Sequence, residues 1–201
     1  MNERTHTLAK DIADCLRWHY PPNQDGWNAR ITNSATQAEL WIHVEEVRLP
    51  TDARVVISAG FGDLTNYAPY DARGKHLITC MIAKTPPQIV KDITRRIFPD
   101  YLRDLQIAKE RYAAHIARMQ SVQQTAQQFA AVLNLPTPEV KDDERARFSM
   151  YDVKGIYGNI EVNSKDMDIA LTDIPFDLAA MMLVPIGEYI RAHAKEDEHA
   201  D

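Results

Sequence analysis

The sequence is short of the residues from which many sites are built. Its two cysteines, Cys15 and Cys80, stand far apart with no CxxC spacing; this gives no thiolate zinc site, and nothing requires the one disulfide that two cysteines could form. Free cysteine behaves as a small buried hydrophobe, so both are expected as reduced core thiols, Cys15 on a helical apolar face and Cys80 within a strand. With seven glycines there is no glycine-rich phosphate loop. The nearest approach, "AGFGD" at 59–63, lacks the following lysine and helix. The seven histidines make no HxxxH or HExxH pair, and His193 and His199 lie near a charged tail that is a poor metal site. A GxSxG elbow and the surround of a papain-type cysteine are missing too. No run nears the ~20 apolar residues of a membrane span, and "MNERTHTLAKDIADCLRWHY" lacks the apolar core and cleavage site of a signal peptide. The expected compartment is the cytoplasm. No catalytic residue, metal ligand or cofactor site can be nominated, and the chain does not read as an enzyme.

What is present is ordinary globular material: 45% apolar and 26% charged residues, enough for one medium domain or two small lobes. The formal charge of −6 is unevenly spread. Residues 1–83 carry a net −2, residues 84–118 a net +4, and residues 119–201 a net −8. A basic centre beside an acidic third can steer a partner, or be matched within the chain.

Along the chain, residues 5–18 read as an amphipathic helix on Leu8, Ile12, Cys15 and Leu16. It must stop by "HYPPNQDG". The period then changes to two. Ala29 and Ile31 mark a first strand, Leu40, Ile42 and Val44 alternate against Trp41, His43 and Glu45, and Val55/Ile57 and Ile78/Cys80 line two more. This predicts an antiparallel meander of about four strands with one face on helices.

The sharpest stretch is "AKTPPQIVKDITRRIFPDYLRDLQ", 83–106. Thr85 is a good N-cap and Pro86 suits the first helical position. Ile89, Ile93 and Ile97 form one ridge. After a break at Pro99, Leu102, Leu105, Ala108, Tyr112, Ile116 and Met119 continue a stripe towards Leu133. Unbroken, residues 100–133 would span about 50 Å. Such a helix would bridge two lobes or pair with another copy, unless it kinks near Gln120. "NLPTPEVKDDERA" reads as a linker. The strand period returns in "RFSMYDV", "IYGNIEV" and "MDIALTDI", joined by turns at Lys154-Gly155 and "NSKD". A last helix, about 174–193, carries Phe176, Ala179, Ala180, Leu183, Ile186 and Ile190, with Pro185 expected to kink it.

The reading is therefore an α+β protein with antiparallel sheets flanked by helices and a long central helix linking two lobes. Its parts are an N-terminal helix and sheet lobe (1–83), a helical spine (84–133), a linker (134–146), a strand–helix lobe (147–193) and a frayed acidic tail (194–201).

Two surfaces suggest function. The loop "FGDLTNYAPYDARG", 61–74, offers Tyr67, Tyr70, Asp71 and Arg73 for contact with a partner. The basic stretch offers Lys91, Arg95, Arg96, Arg103, Arg111 and Arg118 for nucleic acid, with Arg96, Arg103 and Arg111 spaced to share one side of a helix. Interleaved Asp92, Asp100, Asp104 and Glu110 weaken that second reading. Asp166/Asp168 and Asp173/Asp177 fit a turn and a helix start better than a nuclease centre. Trp18, Tyr20, Trp27 and Trp41 read as packing rather than as a base-stacking platform, since their surroundings are acidic.

The segment "KTPPQIVKDITRRIFPDYLRDLQIAKERYAAH", 84–115, resembles a passage common in uncharacterised phage and prophage proteins. The resemblance covers about a sixth of the chain and carries no catalytic residues. It implies a small accessory protein of a mobile element acting inside a bacterial cell. With the charge asymmetry, it favours a non-enzymatic binder of a host protein or nucleoprotein complex, inhibition of a defence complex being the concrete version. An acidic lobe would present carboxylates where phosphates go. A homodimer through 100–133 is a further expectation, and nucleic acid is the second choice of partner.

Overall fold

The computed structural model describes residues 3–21, 24, 26–45, 53–141, 144–153 and 155–197. The elements are α1 (Glu3–Leu16), β1 (Asn28–Asn33), β2 (Ala38–Glu45), β3 (Arg54–Gly60), β4 (Leu77–Met81), α2 (Pro86–Arg96), α3 (Phe98–Leu133), β5 (Ala146–Val153), β6 (Ile156–Val162), β7 (Met167–Thr172) and α4 (Phe176–Asp197). They make an α+β protein with two antiparallel sheets, ordered β1-β2-β3-β4 and β5-β6-β7. By its contacts the chain divides into two compact units, Met1–Ala114 and His115–Asp201. The boundary falls inside α3, so the helical spine is shared out between them. No helix among the described residues is long and apolar enough to cross a membrane.

In the first unit the period-two pattern of β2 becomes a burial pattern. Leu40, Ile42 and Val44 are buried, while Trp41 and Glu45 are exposed and His43 lies between. Val55, Ile57, Ile78 and Cys80 join them on the covered face. Onto that face pack Ala9, Ile12 and Ala13 of α1, Ile89 and Ile93 of α2, then Ile97, then Tyr101, Leu105 and Ala108 of α3. α1 ends where Arg17 turns left-handed at φ 57° and Trp18 N–H reaches back to Ala13 O at 2.9 Å. Thr85 caps α2, and Gln88 Oε1 accepts the Thr85 N–H at 2.9 Å. Two expectations need correction. Cys15 is exposed, and only Cys80 is buried, because the core-facing stripe of α1 runs through Ala9, Ile12 and Ala13. The aromatics do not all pack inside: Trp18 stacks on Phe98 at 5.5 Å, but Trp27 is 68% exposed. The "PPNQDG" turn lies partly outside the described residues.

α3 runs unbroken for 36 residues, with no interruption at Gln120. In the second unit its Val122, Ala126 and Ala130 cover Phe148, Met150, Ile160 and Val162 of the three-stranded sheet. Asn163 Oδ1 closes the "NSKD" turn, accepting from Lys165 N at 2.8 Å and Asp166 N at 3.0 Å. Lys154, of the other turn, lies outside the described residues, as do His199 and the tail from 198. The helix α4 nevertheless continues to Asp197, so residues 194–197 are helical rather than frayed. Ala, Lys and Glu are good helix formers and nothing in "AKED" stops the turn. Pro185 sits within α4.

Glu144, just ahead of β5, is fastened to α3. Its carboxylate accepts from His115 Nδ1 at 2.6 Å and Arg118 Nε at 2.8 Å. These hydrogen bonds, Arg118 first, hold its pKa down to about 2 from an ordinary 4.5. A depressed carboxylate pKa contributes stability that is complete above pH 4.5 and is lost as pH falls towards about 2. Because the site is partly open to solvent, Glu144→Gln should cost only about 1 kcal/mol at neutral pH. The difference from wild type should vanish in acid, as read from urea midpoints across that range.

Candidate functional site

The first unit holds a cleft of about 560 Å³ lined by Arg30, Gln37, Glu39, Phe61, Gly62, Asp63, Leu64, Lys109 and Tyr112. Five segments build it: β1, the turn into β2, the start of β2 itself, the start of the 61–74 loop, and α3. The turn is set by Asn33 Oδ1, which accepts from Ala35 N at 3.0 Å and Thr36 N at 3.1 Å. Lys109 Nζ ties α3 to that turn by donating to Thr36 O at 2.6 Å.

Glu39 is the unusual member, a carboxylate on a buried residue. Such a group must be hydrogen-bonded to be tolerated. Its Oε1 accepts from Trp41 Nε1 at 3.1 Å and from Gly62 N at 3.2 Å, and Arg30 Nη1 stands 3.7 Å from Oε2. The Arg30 guanidinium also lies over the Trp41 ring, 5.7 Å from its centroid. Gly60 makes this close approach feasible, since a Cβ there would sit 2.2 Å from Glu39 Oε1.

Behind the cleft is a buried polar group. Tyr101 Oη accepts the Glu39 N–H at 2.9 Å and donates to Gly60 O at 2.7 Å, bridging the paired residues Glu39 and Gly60 at the end of the sheet. Burial pushes this phenol well above the usual tyrosine range. His76 Nε2 donates to Asp104 Oδ2 at 3.1 Å, both buried. Phe61 lays its edge against both Tyr101 and His76.

The 61–74 loop is anchored rather than loose. Two 3₁₀ turns, Gly62–Leu64 and Tyr70–Ala72, order it, and Ala68 and Ala72 are buried. Of the residues expected there, Tyr67 is turned inward, packing on Tyr112 at 5.1 Å, while Arg111 donates to its carbonyl at 3.3 Å. Tyr70 is 89% exposed, and Asp71 and Arg73 are exposed too. Arg73 donates to Asn66 O at 3.4 Å. The loop thus contributes a rim beside the cleft, with Tyr70 as its outward aromatic.

The basic residues are less united than their spacing suggests. Arg96 ends α2 while Arg103 and Arg111 belong to α3, so the three do not share one helix side; the turn at Ile97 resets the register. Arg95 pairs with Asp92 at 3.3 Å, Arg103 with Asp100 and Asp104 at 3.3 Å each, and Arg118 with Glu144 at 2.8 Å. Lys91 and Arg96 are exposed on α2. Asp92 is buried and also pairs with Lys84, and its carboxyl is held below the usual range chiefly by that lysine. Among the described residues no group of three or more His, Cys, Asp or Glu is placed to hold a metal ion.

Sequence reasoning did not find the cleft, because Arg30, Glu39, Lys109 and Tyr112 come from distant segments. The one available signal was the pair of glycines in "AGFGD", which the structure uses to admit a carboxylate. No protein-family model matches the chain, and no curated protein matches it.

Proposed function

We propose that the chain is a non-enzymatic binding protein that takes a peptide segment of a macromolecular partner into the cleft of the first unit. The observation that carries this reading is the lining itself. An apolar floor of Phe61, Leu64 and Tyr112 lies between cations (Arg30, Lys109) and carboxylates (Glu39, Asp63), at a volume that admits a few side chains. Such mixed charge suits a polar peptide better than a polyanion, and Tyr70 and Tyr112 are the anchors that a partner would bury. The resemblance across 84–115 suggests the narrowest form, a partner within a host defence complex.

The test is affinity capture from nuclease-treated bacterial lysate with wild type and with Tyr70→Ala/Tyr112→Ala. One protein retained stoichiometrically by wild type and reduced at least ~10-fold in the variant supports the reading. Retention indifferent to both substitutions sinks it. Nucleic acid retained before nuclease, released by salt and lost on Arg96→Glu/Arg103→Glu, would move the function to the basic surface.

A further inference from the structure

The second unit leaves two apolar surfaces open. The first is α4: Phe176 is 90% exposed, Met181 73% and Leu183 65%, with Val184 and Ile186 also exposed. These side chains point around most of the helix, leaving only a narrow side to Asp177, Glu188 and Arg191. A helix apolar on nearly all sides is a helix that is buried in its working state.

The second surface is β7. Met167 and Ile169 pair with Val162 and Ile160, so they lie on the same face as those buried residues. The α3 cover continues over β5 and β6, yet Met167 and Ile169 remain exposed, Ile169 by 49%. Among the described residues, one copy of the chain therefore holds both an apolar helix that is only partly covered, at Leu178 and Met182, and an apolar sheet stripe without a helix.

We infer that the occupant is a second copy of this chain, the α4 of each copy covering the β7 stripe of the other. Two observations select it over other occupants. The two open surfaces are complementary in kind, and a two-fold arrangement satisfies both at once with the same residues. From 176 to 189 the helix carries Asp177 and Glu188 and no cation, which disfavours an anionic lipid surface or nucleic acid. This surface is distinct from the 100–133 helix suggested by the heptad-like spacing, and it does not depend on the cleft.

The experiment is sedimentation equilibrium of the full chain over about two decades of micromolar concentration. Wild type should show a monomer–dimer equilibrium. Phe176→Glu/Leu183→Glu on the helix, and separately Ile169→Lys on the stripe, should each weaken it at least ~100-fold. Val132→Glu, at an exposed position of α3, should leave it unchanged. All these side chains are exposed within one chain, and unchanged circular dichroism establishes that the variants fold. A wild type that stays monomeric throughout overturns the inference, whether or not it then binds uncharged lipid vesicles or another protein. A dimer insensitive to the helix and stripe substitutions, or broken only by Val132→Glu, overturns it as well.

Discussion

Gly158→Ala is expected to detach β7 from the sheet of the second unit. Gly158 adopts φ +154°, and a Cβ there would lie 2.1 Å from Ala170 O and 2.9 Å from Leu171 Cα. Both are backbone atoms of the neighbouring strand, so no side-chain rotation relieves the clash. The choice is between abandoning the pairing of Gly158 with Leu171 and forcing the strands apart. Either should cost about 3 kcal/mol or more, the scale of an overpacked core combined with a disfavoured backbone conformation. Hydrogen exchange should show β7 amides losing protection while those of β1–β4 keep theirs. Gly155 makes the comparison: it has positive φ but open space around its Cβ position, so Gly155→Ala should cost only about 1 kcal/mol. Equal protection of β7 in wild type and Gly158→Ala would refute the argument.

The second large effect is expected from Tyr101→Phe. The ring fills the same space, so the substitution removes only the hydroxyl. It strands the Glu39 N–H and the Gly60 carbonyl, which have their bridge through that oxygen. Each unsatisfied buried group costs ~1–3 kcal/mol, giving about 2–6 kcal/mol together. For a unit of this size that corresponds to a fall of roughly 10 °C or more in Tm. Because Glu39 lines the cleft, partner retention should drop along with stability. A loss below about 0.5 kcal/mol would mean that the phenol is dispensable to the ladder.

Much of the architecture was legible because it depends on local pattern. The alternation of Leu40, Ile42 and Val44 fixes which face of β2 is covered, and Thr85-Pro86 starts α2 where capping chemistry says it should. The turn at Asn163 follows from its side chain satisfying the next backbone amides. What was not legible depends on partners distant in sequence. Arg96 and Arg103 look like neighbours on one helix until Ile97 ends α2. Cys15 shares the spacing of the apolar stripe, yet the smaller Ala9 and Ala13 make the close contact. Glu39 has the phase of an exposed strand residue and is enclosed only because Gly60 and Gly62 let the following loop fold over it. The apolar spacing of α4 was visible, but periodicity identifies a face that wants cover without saying whether the same chain provides it.

The placement of the three tryptophans has a practical corollary. Trp18, Trp27 and Trp41 all belong to the first unit, one stacked on Phe98, one exposed and one hydrogen-bonded to the Glu39 carboxylate. Indole fluorescence is therefore a reporter of that unit alone. A fluorescence melt would register Tyr101→Phe and pass over Gly158→Ala, so a single-wavelength experiment would count one transition in a molecule that has two bodies to unfold.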